Sequence, residues 1–95
     1  MEIKIPAELH LCGQMITINW EDGLAENWNR NGEATFNKHR RIKLDSNLPR
    51  GTLEETFFHE CLHQLDSLYA TDLKESQIKR LALGIAELVA QLQGG

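Results

Sequence analysis

The sequence is poor in cysteine: Cys12 and Cys61 are the only two in 95 residues, which excludes the disulfide framework of a small secreted domain. No basic, apolar, small-residue leader pattern opens it, so a reducing cytoplasm is the expected setting. No apolar run approaches the roughly 18 residues needed to span a bilayer, which argues against a membrane-inserted chain. Basic residues are outnumbered. Ten Lys and Arg against fourteen Asp and Glu leave a net charge of -4, the wrong sign for a protein whose main partner is nucleic acid or an anionic membrane. Internal repeats and low-complexity stretches are also lacking, so solenoid and fibrous architectures are set aside.

What is present is an ordinary globular composition, 41% hydrophobic and 25% charged, too apolar for a disordered chain. A length of 95 residues suits one hydrophobic core, and residues 1–95 read as a single domain.

Apolar residues in the first half alternate or cluster in short runs. Met15, Ile16 and Ile18 lead to Trp20, and Ile42 and Leu44 alternate with Arg41, Lys43 and Asp45, a strand-like period. A third run, Ala34 to Asn37, follows Asn31-Gly32 and precedes the basic Lys38 to Arg41. Residues 33 to 45 therefore read as a hairpin with a positively charged turn. Glu21 to Arg30 reads as a loop or a short helix.

The second half has another period. Pro49 and Gly51 end the extended region, and Thr52 with Glu55 has capping-box spacing for a helix running to about Tyr69. Thr71 or Asp72 is expected to cap a second helix, in which Ile78, Leu81, Ala82, Ile85, Leu88, Val89 and Leu92 follow the helical repeat. Strands followed by helices predict an α+β domain: a small antiparallel sheet of about three strands, then two helices.

The first helix contains His59-Glu60-Cys61-Leu62-His63, an HExxH pattern. Imidazoles four residues apart sit one turn apart on one face, so both can address one ion. Glu60 between them is placed to take a proton from a water at that ion, the general-base role in metal-assisted amide hydrolysis. The helix buries a stripe of Phe57, Phe58, Cys61, Leu65 and Leu68, while His59 and His63 lie nearly opposite with Thr56 and Ser67. The histidines are thus not core fillers. Cys61, central to the stripe, reads as a small buried hydrophobe.

A catalytic zinc takes three protein ligands and leaves a position for water. A third histidine six residues after the second is excluded, because Tyr69 stands there. Glu75, on the edge of the second helix's apolar stripe, is the chosen third ligand, whereas Glu87 points to the polar side. Capping-box spacing from Asp72 to Glu75 offers a rival role for that carboxylate. Asp66 is a second candidate, better placed to orient a histidine than to reach the ion.

The run from Glu54 to Asp66 around HExxH, with Glu75 and Ile78-Lys79-Arg80-Leu81-Ala82 beyond it, resembles the small gluzincin-type metallopeptidases. It is most similar to short phage proteins related to the ImmA/IrrE family, over roughly residues 32 to 92. The resemblance implies a strand hairpin, an HExxH helix and a covering helix. It also implies zinc held by His59, His63 and Glu75, with Glu60 as the base. The family's acidic and asparagine cluster around the third ligand reads Glu75-Ser76-Gln77-Ile78-Lys79 here.

Tyr69, the only tyrosine, is a candidate to stabilise the oxyanion, with His39 and His10 as substitutes. An edge strand is expected to line the cleft for an extended peptide. Lys38-His39-Arg40-Arg41 reads as a solvated turn before it reads as a phosphate site, and Trp20, Trp28 and Phe36 as core or loop anchors. The function expected is peptide-bond hydrolysis on a protein or peptide substrate. The alternative is a zinc-stabilised binding or regulatory module on a protein partner, with nucleic acid a poorer third.

Overall fold

The computed structural model describes residues 4–24, 32–36 and 39–94. Trp28, Asn31, Asn37, Lys38 and the stretch 25–30 lie outside the described residues. Strand β1 spans Glu8–Leu11, β2 Gln14–Glu21, β3 Gly32–Thr35 and β4 Arg41–Asp45, followed by helices α1, Arg50–Tyr69, and α2, Glu75–Gly94. The expected α+β layout of strands and then two helices is present.

Two residues join β1 to β2. Cys12 and Gly13 both take positive φ, 51° and 71°, the backbone of a two-residue turn whose twist matches antiparallel strands. Leu11 then faces Gln14 and Glu8 faces Thr17. The expected hairpin over 33–45 also forms, with Gly32 opposite Leu44 and Thr35 opposite Arg41.

The sheet differs from the expected three antiparallel strands. It has four strands in the order β1-β2-β4-β3, and its central pair, β2 with β4, is parallel, with Ile18 beside Ile42. The reason is geometric: alternation reports which face of a strand is buried but carries no information about the direction of its neighbour. The chain leaves β2, passes to the outer position as β3 and returns inward as β4, leaving β3 on the edge next to α1.

The core lies between the sheet and α1. Ile16, Ile18, Ile42 and Leu44 from the two central strands meet Phe57, and Leu53, Phe58, Cys61 and Leu68 pack against them. Burial of Ile16, Ile18, Ile42, Leu44 and Phe57 contributes roughly 1.5–3 kcal/mol for each side chain, and less for the partly buried ones around them.

Helix α1 starts at Arg50, two residues before the expected Thr52 cap. Pro49 is its N-cap residue without a side-chain bond, and the Pro49 carbonyl accepts from the Leu53 amide at 2.8 Å. Thr52 lies inside the helix, where its carbonyl accepts from the Thr56 hydroxyl at 2.7 Å. The helix ends on left-handed Ala70. The Asp66 carboxylate gathers the following turn, accepting from the Thr71 hydroxyl at 2.5 Å and the Leu73 amide at 2.8 Å.

Neither Thr71 nor Asp72 caps α2. Lys74 is the residue before its first turn, its carbonyl accepting from the Ile78 amide at 3.0 Å while Gln77 Oε1 accepts from the Lys74 amide at 2.8 Å. Ile78 and Ala82 are buried on this helix, whereas Leu81, Leu83, Leu88 and Leu92 are exposed. No helix among the described residues is long and apolar enough to cross a membrane.

Candidate metal centre

The helical repeat brings the two imidazoles of α1 together, and the turn that Asp66 organises brings α2 back over them. His59 Nε2 and His63 Nε2 are 3.2 Å apart. Glu75, in the first turn of α2, places Oε1 2.7 Å from His59 Nε2 and Oε2 2.9 Å from His63 Nε2. Because Gln77 occupies the capping role, the Glu75 carboxylate is available to the histidines.

Donors roughly 2.0–2.1 Å from one tetrahedral ion lie about 3.3 Å from each other. The separations here, 2.7 to 3.2 Å, need only a small outward movement. Two imidazoles and a carboxylate also suit a borderline divalent cation. His59, Glu60 and His63 form a group able to hold a metal ion. Within the wider cluster, Glu75 comes closer to the imidazole nitrogens than Glu60, whose Oε1 is 3.9 Å from His59 Nε2.

Glu60 is set apart by its surroundings. Only 6% of its surface is exposed, and its carboxyl is pushed up to about 7, by burial first and by the charges of Glu75 and Glu33 after that. Such a group takes and gives a proton near neutrality. Burial, with the Glu60 charge added, pushes the neighbouring Cys61 thiol up to about 12, so it is an inert packing group, as expected.

His59 and Glu60 border two clefts. One, of about 290 Å³, is bounded by Thr52, Thr56, Ala82 and Leu83; the other, of about 440 Å³, is bounded by Ala34, Phe36, His63 and Glu75, and Gly32 borders both. Edge strand β3 is the wall they share.

Two residues that carry this arrangement were not singled out in the sequence. Gly32 lies so near α1 that a Cβ there would stand 2.7 Å from Thr56 Cγ2 and 3.1 Å from Glu60 Cγ. Gln64 is fully buried, and its amide donates to the main-chain carbonyls of Thr35 and Arg41, both at 3.0 Å. The available signal was the i, i+4 pair Glu60 and Gln64, two polar residues flanking the apolar stripe.

Other candidates lie elsewhere. Tyr69 is exposed at the end of α1, ten residues from His59. There it bonds Cys12 of the β1–β2 turn, which raises its phenol above the ordinary value. The expectation that Tyr69 serves the cluster is therefore corrected, since roughly 15 Å of helix separates it from His59. Asp66 is occupied in the interhelical turn rather than as a ligand. Its carboxyl is held low by the Leu73 amide first and the Thr71 hydroxyl second. His10 pairs with Glu8 on β1, the opposite edge of the sheet. Within the basic turn, Arg40 Nη1 donates to Gln64 Oε1 and Ser67 Oγ, and Lys43 pairs with Glu21.

Searches against family models, curated proteins and solved structures find no match to this chain.

Proposed function

We propose that the chain is a zinc-dependent peptidase, with zinc held by His59, His63 and Glu75 and with Glu60 as general base. One observation carries the reading: two imidazole nitrogens and the carboxylate of Glu75 converge within 3.2 Å of one another beside a buried carboxyl group. Zinc bound by such a donor set lowers the pKa of a coordinated water and polarises a carbonyl.

The chain's own residues supply the rest. Glu60 accepts a proton from the attacking water as its oxygen bonds to the peptide carbonyl carbon. It then delivers that proton to the amide nitrogen as the carbon–nitrogen bond breaks. As the last strand in the sheet order, β3 is the strand beside which an extended peptide would add, the strand-addition mode of recognition. Relation to the gluzincin and ImmA/IrrE proteins and a phage origin belong to the same proposal and rest on the HExxH run and Glu75, while a cytoplasmic setting is proposed from the scarcity of cysteine.

A second reading is a zinc-stabilised module that binds a protein partner without cleaving it. The distance of the only tyrosine from the cluster favours it. Purified without a metal-affinity tag, the protein should contain one zinc per chain and cleave β-casein. Glu60→Gln should retain zinc and lose cleavage. Zinc without cleavage in the wild type would transfer the proposal to the binding module, and absence of zinc would end both.

A further inference from the structure

Every hydrogen-bonding group of the Gln64 side chain is engaged. Its Nε2 donates to the Thr35 carbonyl and to the Arg41 carbonyl, each at 3.0 Å. Its Oε1 accepts from Arg40 Nη1 at 3.2 Å, and the same guanidinium nitrogen reaches Ser67 Oγ at 3.0 Å. Thr35 is the last residue of β3 and Arg41 the first of β4, paired opposite one another. Gln64, the helical residue that follows His63, therefore ties the turn end of the β3–β4 hairpin, through its main chain, to α1.

The attachment is specific in a way apolar packing is not. Apolar contacts between a strand and a helix are non-directional and single out no one pair of atoms. Two main-chain carbonyls sharing the amide of a fully buried Gln64 do single out their partner, since displacement leaves that amide without its partners. At the other end of β3, Gly32 lets the strand approach Glu60. Strand β3 is thereby held at both ends against the turns bearing His59, Glu60 and His63.

We infer that Gln64 is a positioning residue, a clamp that sets the distance between edge strand β3 and the histidine pair of α1. This rests on the proposed peptidase reading for its catalytic consequence, but the clamp itself has a readout independent of cleavage.

The test compares the zinc-loaded wild type with Gln64→Met, which keeps length and helix preference but loses the amide. Ile16→Val serves as a control for general loss of stability in the sheet core. Amide hydrogen exchange in β3 and zinc affinity are measured for all three, along with β-casein cleavage at equal zinc occupancy. Gln64→Met should speed β3 exchange at least tenfold relative to β2 and keep zinc affinity within threefold. Its cleavage should fall by about 100-fold, as expected for an ångström-scale misplacement of substrate. Ile16→Val should change cleavage by less than twofold.

Exchange in β3 that follows β2 in Gln64→Met overturns the clamp, as does cleavage within twofold of wild type. If Gln64→Met does not fold, Gln64→Asn, which keeps the amide but draws it back from both carbonyls by one methylene, replaces it with the same expected direction and the same overturning results. A wild type that cleaves nothing refutes the peptidase reading. The exchange measurement then still decides the clamp.

Discussion

Gly32 lies so near Glu60 that a side chain at position 32 would crowd the carboxylate's own chain and collide with Thr56. A Cβ on Gly32 would stand 3.1 Å from Glu60 Cγ, 2.7 Å from Thr56 Cγ2 and 3.1 Å from the Lys43 carbonyl. Thr56 Cγ2 would have to shift, and Glu60 Cγ and the Lys43 carbonyl to give by a few tenths of an ångström. Gly32→Ala should therefore push β3 away from α1 and destabilise the fold by about 1–3 kcal/mol, the range for overpacking. Urea unfolding checks this, and an unchanged midpoint would show that the strand yields freely.

The third donor comes from another helix. Glu75→Ala should lower zinc affinity by at least 100-fold while helical content by circular dichroism stays at the wild-type level, because Glu75 is 64% exposed at the start of α2 and supports no core packing. Glu87→Ala, on the polar side of the same helix, should bind zinc as the wild type does. Equal affinities for the two variants would remove Glu75 from the metal centre.

Burial of Glu60 has a consequence for stability in the metal-free protein. Its folded pKa, about 7, is above the ordinary 4.5, so the native state retains a proton that the unfolded state releases. The associated stabilisation is complete below pH 4.5 and is lost as pH rises through 7, on the order of 3 kcal/mol in total. Glu60→Gln, neutral throughout, should lack this slope, so its stability relative to wild type should rise between pH 5 and pH 8. Zinc should diminish the difference, because a cation beside the carboxyl favours its charged form. Parallel pH profiles for the two chelated proteins would contradict the buried, proton-retaining carboxyl.

Asp66 acts in the opposite direction. Hydrogen bonds from the Leu73 amide and the Thr71 hydroxyl hold its carboxyl below the usual range. The stability it contributes is present above the unfolded-state pKa and is lost as pH falls through the folded one. Asp66→Ala should lower the melting temperature at pH 7 and much less at pH 3. Because this turn carries α2 back to the histidines, zinc affinity should fall as well. A melting temperature equal to wild type at pH 7 would show that the turn forms without it.

Local features of the sequence were reliable where the physics is local. The i, i+4 spacing of His59 and His63 needs only helical geometry to put two imidazoles on one face. Apolar periods marked both helices, the 33–45 hairpin and most of the core. The errors were at boundaries and among polar residues: Thr52, Thr71 and Asp72 have capping chemistry, yet Pro49 and Lys74 precede the helices. Tyr69 looked available because the sequence does not show that it meets Cys12.

The residues alone determined that this is an α+β chain with a paired-histidine helix, since period and spacing are properties of neighbouring positions. Tertiary structure alone decided that β2 and β4 run parallel, that β3 occupies the edge, and that Gln64 is buried against two main-chain carbonyls. It also brought Glu75 within 3 Å of both imidazoles. Each of these is a relation between segments separated by loops, settled by how helices and strands share one core rather than by the preference of any residue.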